Sequence, residues 1–185
     1  ADVFTPVIAK DGHTVVFGRR GRNEQDGFYV TDFDGTAPPR RVTATPPDDI
    51  QSTVNAILPD ASSFIVSRRG PDARGDLYLV TIPAPGAPLA ELKPIVTGPA
   101  DETDGKVSPD GRFLAYVSDE SGQREIYVAS FGPGSAVGHP VRATRTGVEY
   151  MTWSPDGRSI RYRSGGRAMD IAVTRRQEWR VEPNI

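Results

Sequence analysis

Nucleophilic hydrolysis by a Ser-His-carboxylate triad needs three side chains brought together, often with the serine on a strained Gly-x-Ser-x-Gly elbow. No such elbow occurs in this chain, and it has only two histidines, His13 and His139. His13 sits beside a turn and His139 precedes Pro140. Both read as exposed and non-catalytic. No His-x-x-x-His pair supports a metal site. Cysteine is absent, which excludes disulfides, thiolate metal sites and a cysteine nucleophile. Two segments resemble pieces of calcium loops: Asp32-Phe33-Asp34-Gly35 and Asp101-Glu102-Thr103-Asp104-Gly105. Neither continues to the distant glutamate of a full ligand ladder. The first fits better as a turn between strands, and calcium at Asp101, Glu102 and Asp104 stays open as an alternative. Arg19-Arg20 and Arg68-Arg69 lack the Gly-x-x-x-x-Gly-Lys pattern of a phosphate loop. Arg74-Gly75-Asp76 spells an adhesion tripeptide that a chain rich in these residues produces by chance. The expectation is no metal, no cofactor and no enzymatic activity.

The elements that carry these residues repeat. Val107-Ser108-Pro109-Asp110-Gly111-Arg112 is followed by the apolar run Phe113 to Val117, a polar loop and Ile126-Tyr127-Val128. Trp153-Ser154-Pro155-Asp156-Gly157-Arg158 repeats the opening, and weaker copies surround Asp11-Gly12 and Asp60-Ala61. The four aspartates are spaced by 49, 50 and 46 residues. Ser-Pro-Asp-Gly is a turn with a mechanism: Pro109 and Pro155 preset φ, the aspartate bonds nearby backbone, and Gly111 or Gly157 takes the positive φ. Four residues after each turn aspartate stand Val15, Phe64, Leu114 and Ile160; two further on stand Phe17, Val66, Tyr116 and Tyr162. Short strands in units of this length predict an all-β chain of about four four-stranded antiparallel blades, a β-propeller or part of one. The blades span approximately 1–47, 48–98, 99–145 and 146–185. No segment has a helical apolar period; only Asp48 to Ala56 merits a check. Trp153 fills the apolar slot before a turn and reads as core, whereas the surroundings of Trp179 stay open.

The chain of 185 residues is long enough for a real core, with 37% hydrophobic and 25% charged residues. A net charge of −2 argues against a general nucleic-acid binder. No apolar run reaches membrane-spanning length, so direct membrane insertion is not expected. If the first strand of each blade is innermost, the loops leading into it share a face with the loops joining second to third strands. The former carry Asp48, Asp49, Asp101, Glu102, Asp104 and Glu149; the latter carry Arg19, Arg20, Arg22, Arg68, Arg69, Arg74, Arg124, Arg163 and Arg167. Acidic groups near the axis inside a basic ring could bind a cationic segment of a protein or peptide. The plainer alternative is that these charges pair with one another.

The segment from Val107 to Ala129 closely resembles the TolB-type, WD40-like propeller repeat, known as PD40. Lys10 in place of proline and Ala61 in place of glycine depart from its motif. The run Asp101 to Val128, with Arg161 to Met169, is similar to propellers appended to bacterial Ser/Thr protein kinases. The resemblance implies a non-catalytic scaffold or sensor that binds a protein or peptide, with extracytoplasmic, periplasmic or cell-surface placement. The same repeats build the gating propeller of prolyl-oligopeptidase-type serine peptidases, whose chemistry sits in a separate hydrolase domain; that is the alternative. A metal-dependent lyase or lactonase propeller is a third reading, which the histidine count disfavours. Four blades can close a ring, yet most rings are larger. The reading taken is a fragment of a larger propeller, with further blades or self-association expected, and a four-bladed ring the alternative.

Overall fold

The computed structural model describes residues 2–20, 25–46, 49, 51–132, 136–173 and 180–182. These form sixteen strands and, among the described residues, no helix. The stretch checked for helix is instead the strand Gln51–Ile57. Its burial alternates along Gln51 to Val54, as in a strand with one covered face.

Four antiparallel sheets of four strands follow one another along the chain. The first holds β1 (Asp2–Ile8), β2 (Thr14–Arg20), β3 (Gly27–Asp32) and β4 (Arg40–Ala44), in that order. The second holds β5 (Gln51–Ile57), β6 (Ser63–Arg69), β7 (Gly75–Thr81) and β8 (Lys93–Val96). The third holds β9 (Thr103–Val107), β10 (Phe113–Ser118), β11 (Glu125–Ser130) and β12 (Val141–Arg142). The fourth holds β13 (Tyr150–Trp153), β14 (Ser159–Ser164), β15 (Arg167–Ala172) and β16 (Arg180–Glu182). Each strand pairs with its neighbour in sequence, the meander expected of blades. The chain divides into two compact units, Ala1–Thr97 with the first two sheets and Gly98–Ile185 with the last two.

The hairpin turns share one set of bonds. In the third sheet Ser108 Oγ donates to Asp110 Oδ1 (2.7 Å), and Gly111 N donates to the Ser108 carbonyl (2.8 Å). Ser154, Asp156 and Gly157 repeat this at 2.6 and 2.9 Å. The two weaker copies keep the backbone bond, from Gly12 N to the Ala9 carbonyl (3.0 Å) and from Ala61 N to the Leu58 carbonyl (2.9 Å). The residue after each aspartate has positive φ: 73° at Gly12, 55° at Ala61, 76° at Gly111 and 68° at Gly157. Ala61 holds a conformation that glycine adopts more readily.

Within each unit the sheets pack face to face. In the first, Val16, Phe28 and Val42 meet Val54, Phe64, Val66 and Val80 of the next sheet. The Phe28 and Phe64 rings cross edge-on with centroids 5.7 Å apart. In the second, Ala115, Val117, Ile126 and Val128 meet Met151, Trp153, Ile160, Tyr162 and Ile171. Trp153 is core, and its Nε1 donates to the Lys106 carbonyl (2.9 Å). The residues four and six positions after the turn aspartate therefore face the preceding sheet in both units.

Candidate functional site

The loops and strand ends singled out for their charge hold their acidic and basic side chains against one another. In the first unit, Asp49 lies in the connection from β4 to β5, where its N–H donates to the Pro46 carbonyl (3.1 Å). Its carboxylate is wholly buried. It accepts Arg20 Nη2 from the end of β2 (2.6 Å) and Ser52 Oγ (2.8 Å), and lies 3.9 Å from Arg68 Nε on β6. Arg69 donates to the Ala73 carbonyl. Asp48 and Arg22 lie outside the described residues.

The second unit has the same pairing logic. Asp101 meets Arg124 Nη1 at 3.6 Å, and Arg124 also donates to Thr103 Oγ1 (3.3 Å). Glu149 meets Arg163 Nε at 3.3 Å and accepts the Gly166 N–H (3.1 Å). Asp104 stands 3.9 Å from Lys106. Glu102 lies in the loop entering β9, as expected, but is buried there, whereas Asp104 departs from the expected loop placement. Glu102 is 4% exposed, and Asp104 belongs to strand β9 at a β-bulge with φ of 59°. The bulge arises because β9 carries more residues than β10 between the pairs Ala115–Lys106 and Val117–Thr103.

Acid and arginine thus share a face within each unit, as the strand directions require, and there they neutralise each other. Arg20, whose Nη2 stands 2.6 Å from the buried Asp49 carboxylate, is anchored within its own unit by that ion pair. Sequence reasoning missed Glu125, whose side chain is fully buried at the start of β11. It accepts hydrogen bonds from Thr144 Oγ1, Gln123 Nε2 (2.5 Å) and the Gly147 N–H (3.2 Å). Thr144 Oγ1 in turn accepts the Ile126 N–H (2.8 Å). Glu125 ties β11 to the connection leading into the fourth sheet. The one sequence signal was a carboxylate directly before the Ile-Tyr-Val strand.

The chemistry available here is limited. His13 and His139 are both exposed. Asp34 accepts the Thr36 N–H and hydroxyl in the β3–β4 turn. Asp101, Glu102 and Asp104 do not converge: among the described residues no three metal-ligating side chains are grouped to hold an ion. Burial, then the nearby Glu120 and Glu102 carboxylates, pushes the Tyr116 phenol far above its ordinary range, so it stays neutral. The turn aspartates are held below the usual carboxylate range. At Asp11 the cause is chiefly the Thr14 and His13 N–H groups, at Asp60 the Ser62 N–H, and at Asp156 the Ser154 hydroxyl. At Asp110 partial burial opposes the shift, but the Ser108 hydroxyl and Arg112 outweigh it. Of Arg74-Gly75-Asp76, the last two residues are the first two of β7. Among the described residues no helix is long and apolar enough to cross a membrane.

No protein-family model matches the chain. Over 68 residues it is 40% identical to YuxL of Bacillus subtilis (strain 168), described as an uncharacterized peptidase; the match spans 36% of this chain and 10% of that one. TolB from Acinetobacter baumannii superposes with a TM-score of 0.68 at 18% identity, over 98% of this chain and 43% of that structure. A puromycin-hydrolyzing peptidase of Mycobacterium tuberculosis superposes with a TM-score of 0.66 at 18% identity, over 100% and 30%. The likeness is one of fold. It is the β-propeller fold of TolB and of the peptidases, and what the chain matches in the peptidase structures is their non-catalytic propeller portion. The chain spans less than half the length of each of these relatives.

Proposed function

We propose that this chain is the non-catalytic gating propeller of a prolyl-oligopeptidase-type serine peptidase whose hydrolase domain lies outside this sequence. The observation that carries the reading is the 40% identity to the Bacillus subtilis peptidase over 68 residues. The fold likeness to a peptidase structure over the whole chain supports it. In this role the propeller admits short peptides to a nucleophile it does not itself supply. A fluorophosphonate, which labels only activated serines, tests the proposal on the native protein. A labelled polypeptide that contains this sequence is the expected result. If every polypeptide carrying the sequence stays unlabelled, the reading fails.

A second reading is a TolB-like scaffold that binds a protein or peptide on the charged face, in an extracytoplasmic compartment. The TolB superposition over 98% of the chain favours it. Partner capture should then disappear when Asp49, Asp101 and Glu149 are all changed to Lys, and unchanged capture would sink it. Attachment to a receptor-type kinase rests on the sequence resemblance alone. Exposed apolar side chains on the first sheet, Val3 and Ile8, support association with further blades or with a second copy.

A further inference from the structure

The second sheet shows what one half of a seam is made of in this chain. Ile57, Phe64, Val66 and Tyr78 pack in the seam with the first sheet. Arg68 lies over the Tyr78 ring, 5.9 Å from its centroid, and stands 3.9 Å from Asp49 in the connection that leads into the sheet. The first sheet answers with Val16, Phe28 and Val42.

The other face of the first sheet carries the same half-seam, shifted by 49 residues. Ile8, Val15, Phe17, Arg19 and Tyr29 stand where the second sheet has Ile57, Phe64, Val66, Arg68 and Tyr78. They share a face because Ile8 pairs with Val15, Phe17 with Tyr29, and Val15, Phe17 and Arg19 alternate along β2. Val16, between them, points to the second sheet. The local geometry repeats as well: Arg19 lies over the Tyr29 ring, 5.8 Å from its centroid, as Arg68 lies over Tyr78. Phe17 stacks on Tyr29 with centroids 5.7 Å apart. Within the first unit no other sheet covers this face, and Val3 and Ile8 are exposed on it.

We propose that this face docks a further four-stranded sheet of the same repeat type, supplied by sequence outside these 185 residues, which brings a carboxylate to Arg19. The half-seam selects the occupant, since its other half is known from the first unit: an apolar patch with an acidic residue at the arginine. The place equivalent to Asp49, 49 positions earlier, falls just ahead of Ala1, so that carboxylate comes with the occupant. The relatives of the same fold are more than twice as long as this chain and have room for such a sheet. The fourth sheet of a second copy fits poorly. It has exposed Arg161 and Arg163 where the first sheet offers Val16 and Gly18 to the second, and these would set cations against Arg19. The inference rests on the reading that the first sheet associates with further blades, and holds for a peptidase propeller and a scaffold alike.

The test compares the native polypeptide that carries this sequence with the dilute, purified 185-residue chain. These residues contain no cysteine, so Ile8→Cys places a single thiol among them. Mass spectrometry of its peptide follows alkylation, with Leu89→Cys in the exposed β7–β8 connection as the reference. Alkylation at position 8 should be at least about tenfold slower in the native polypeptide, because the covering sheet must first open. Arg19→Lys then keeps the charge and supplies an amine. A zero-length carbodiimide should couple that amine, in the native polypeptide, to a carboxylate outside the 185 residues. Equal alkylation in both proteins would overturn the proposal together with the further-blade reading of this face. Protection at position 8 with coupling only to carboxylates of this sequence, a second copy included, or with no coupling, would overturn the proposal and leave that reading standing.

Discussion

At the scale of single residues, Ser-Pro-Asp-Gly carries its own geometry. The serine hydroxyl, the aspartate and the positive-φ glycine close the turn with bonds that reach no further than five residues. Ala61 occupies the glycine position with φ of 55°. Ala61→Gly should therefore stabilise the protein by about 0.5–1 kcal/mol, less the entropy glycine brings to the unfolded chain. The converse change, Gly157→Ala, should destabilise by about 1 kcal/mol, since a Cβ there would also stand 3.3 Å from Pro109 Cδ. Urea unfolding measures both. The turn aspartates also predict an acid limb. Their folded-state pKa values lie below the ordinary 3.8, so the unfolded chain binds protons more readily and the stabilisation is fully present above that value. It is lost as pH falls through the lowered values. Tm should drop below about pH 4, and Asp156→Asn, which cannot titrate, should make that drop shallower.

At the scale of elements, alternation along each second strand selects which residues enter the seam between sheets. Phe64 and Val66 face the first sheet, as Ile160 and Tyr162 face the third, because both pairs stand four and six residues after a turn aspartate. Phe64 is fully buried and meets Phe28 edge-on. Phe64→Ala should cost about 3–5 kcal/mol by transfer and cavity formation together. Val15, at the equivalent place on the first sheet, is only half-buried. Val15→Ala should cost well under half as much in the same denaturant series. Equal costs would mean that Val15 is covered in solution.

At the scale of the molecule, the first and fourth sheets differ in what they expose. The first exposes Val3 at 62% and Ile8 at 51%. The fourth turns Arg161 outward at 67%, paired with Asp170 at 3.2 Å, where the third sheet has buried Ala115. A charged face resists dehydration and an apolar one favours it. Light scattering after gel filtration should show the purified chain associating with concentration, and Val3→Lys with Ile8→Lys should return it to a monomer. A wild-type mass that is monomeric at every concentration would count against association through this face.

The sequence alone determined what depends on near neighbours. Turn residues fix φ, and period-two alternation with a repeat of about fifty residues fixes strands, hairpins and their meander into four sheets. It also placed acid and arginine on one face in each unit, since strand direction alternates. Which charges meet was decided only by tertiary structure. Asp49 is buried between Arg20 and Arg68, which come from two different sheets and lie 29 and 19 positions away. Glu102 and Glu125 are buried carboxylates that composition alone would place at the surface. The β7–β8 connection bonds to a strand 47 positions earlier, a partner that no local pattern names. Local dihedral preference and side-chain alternation act within a few residues. Desolvation of a charge and the partner that offsets it are settled only when distant strands come together.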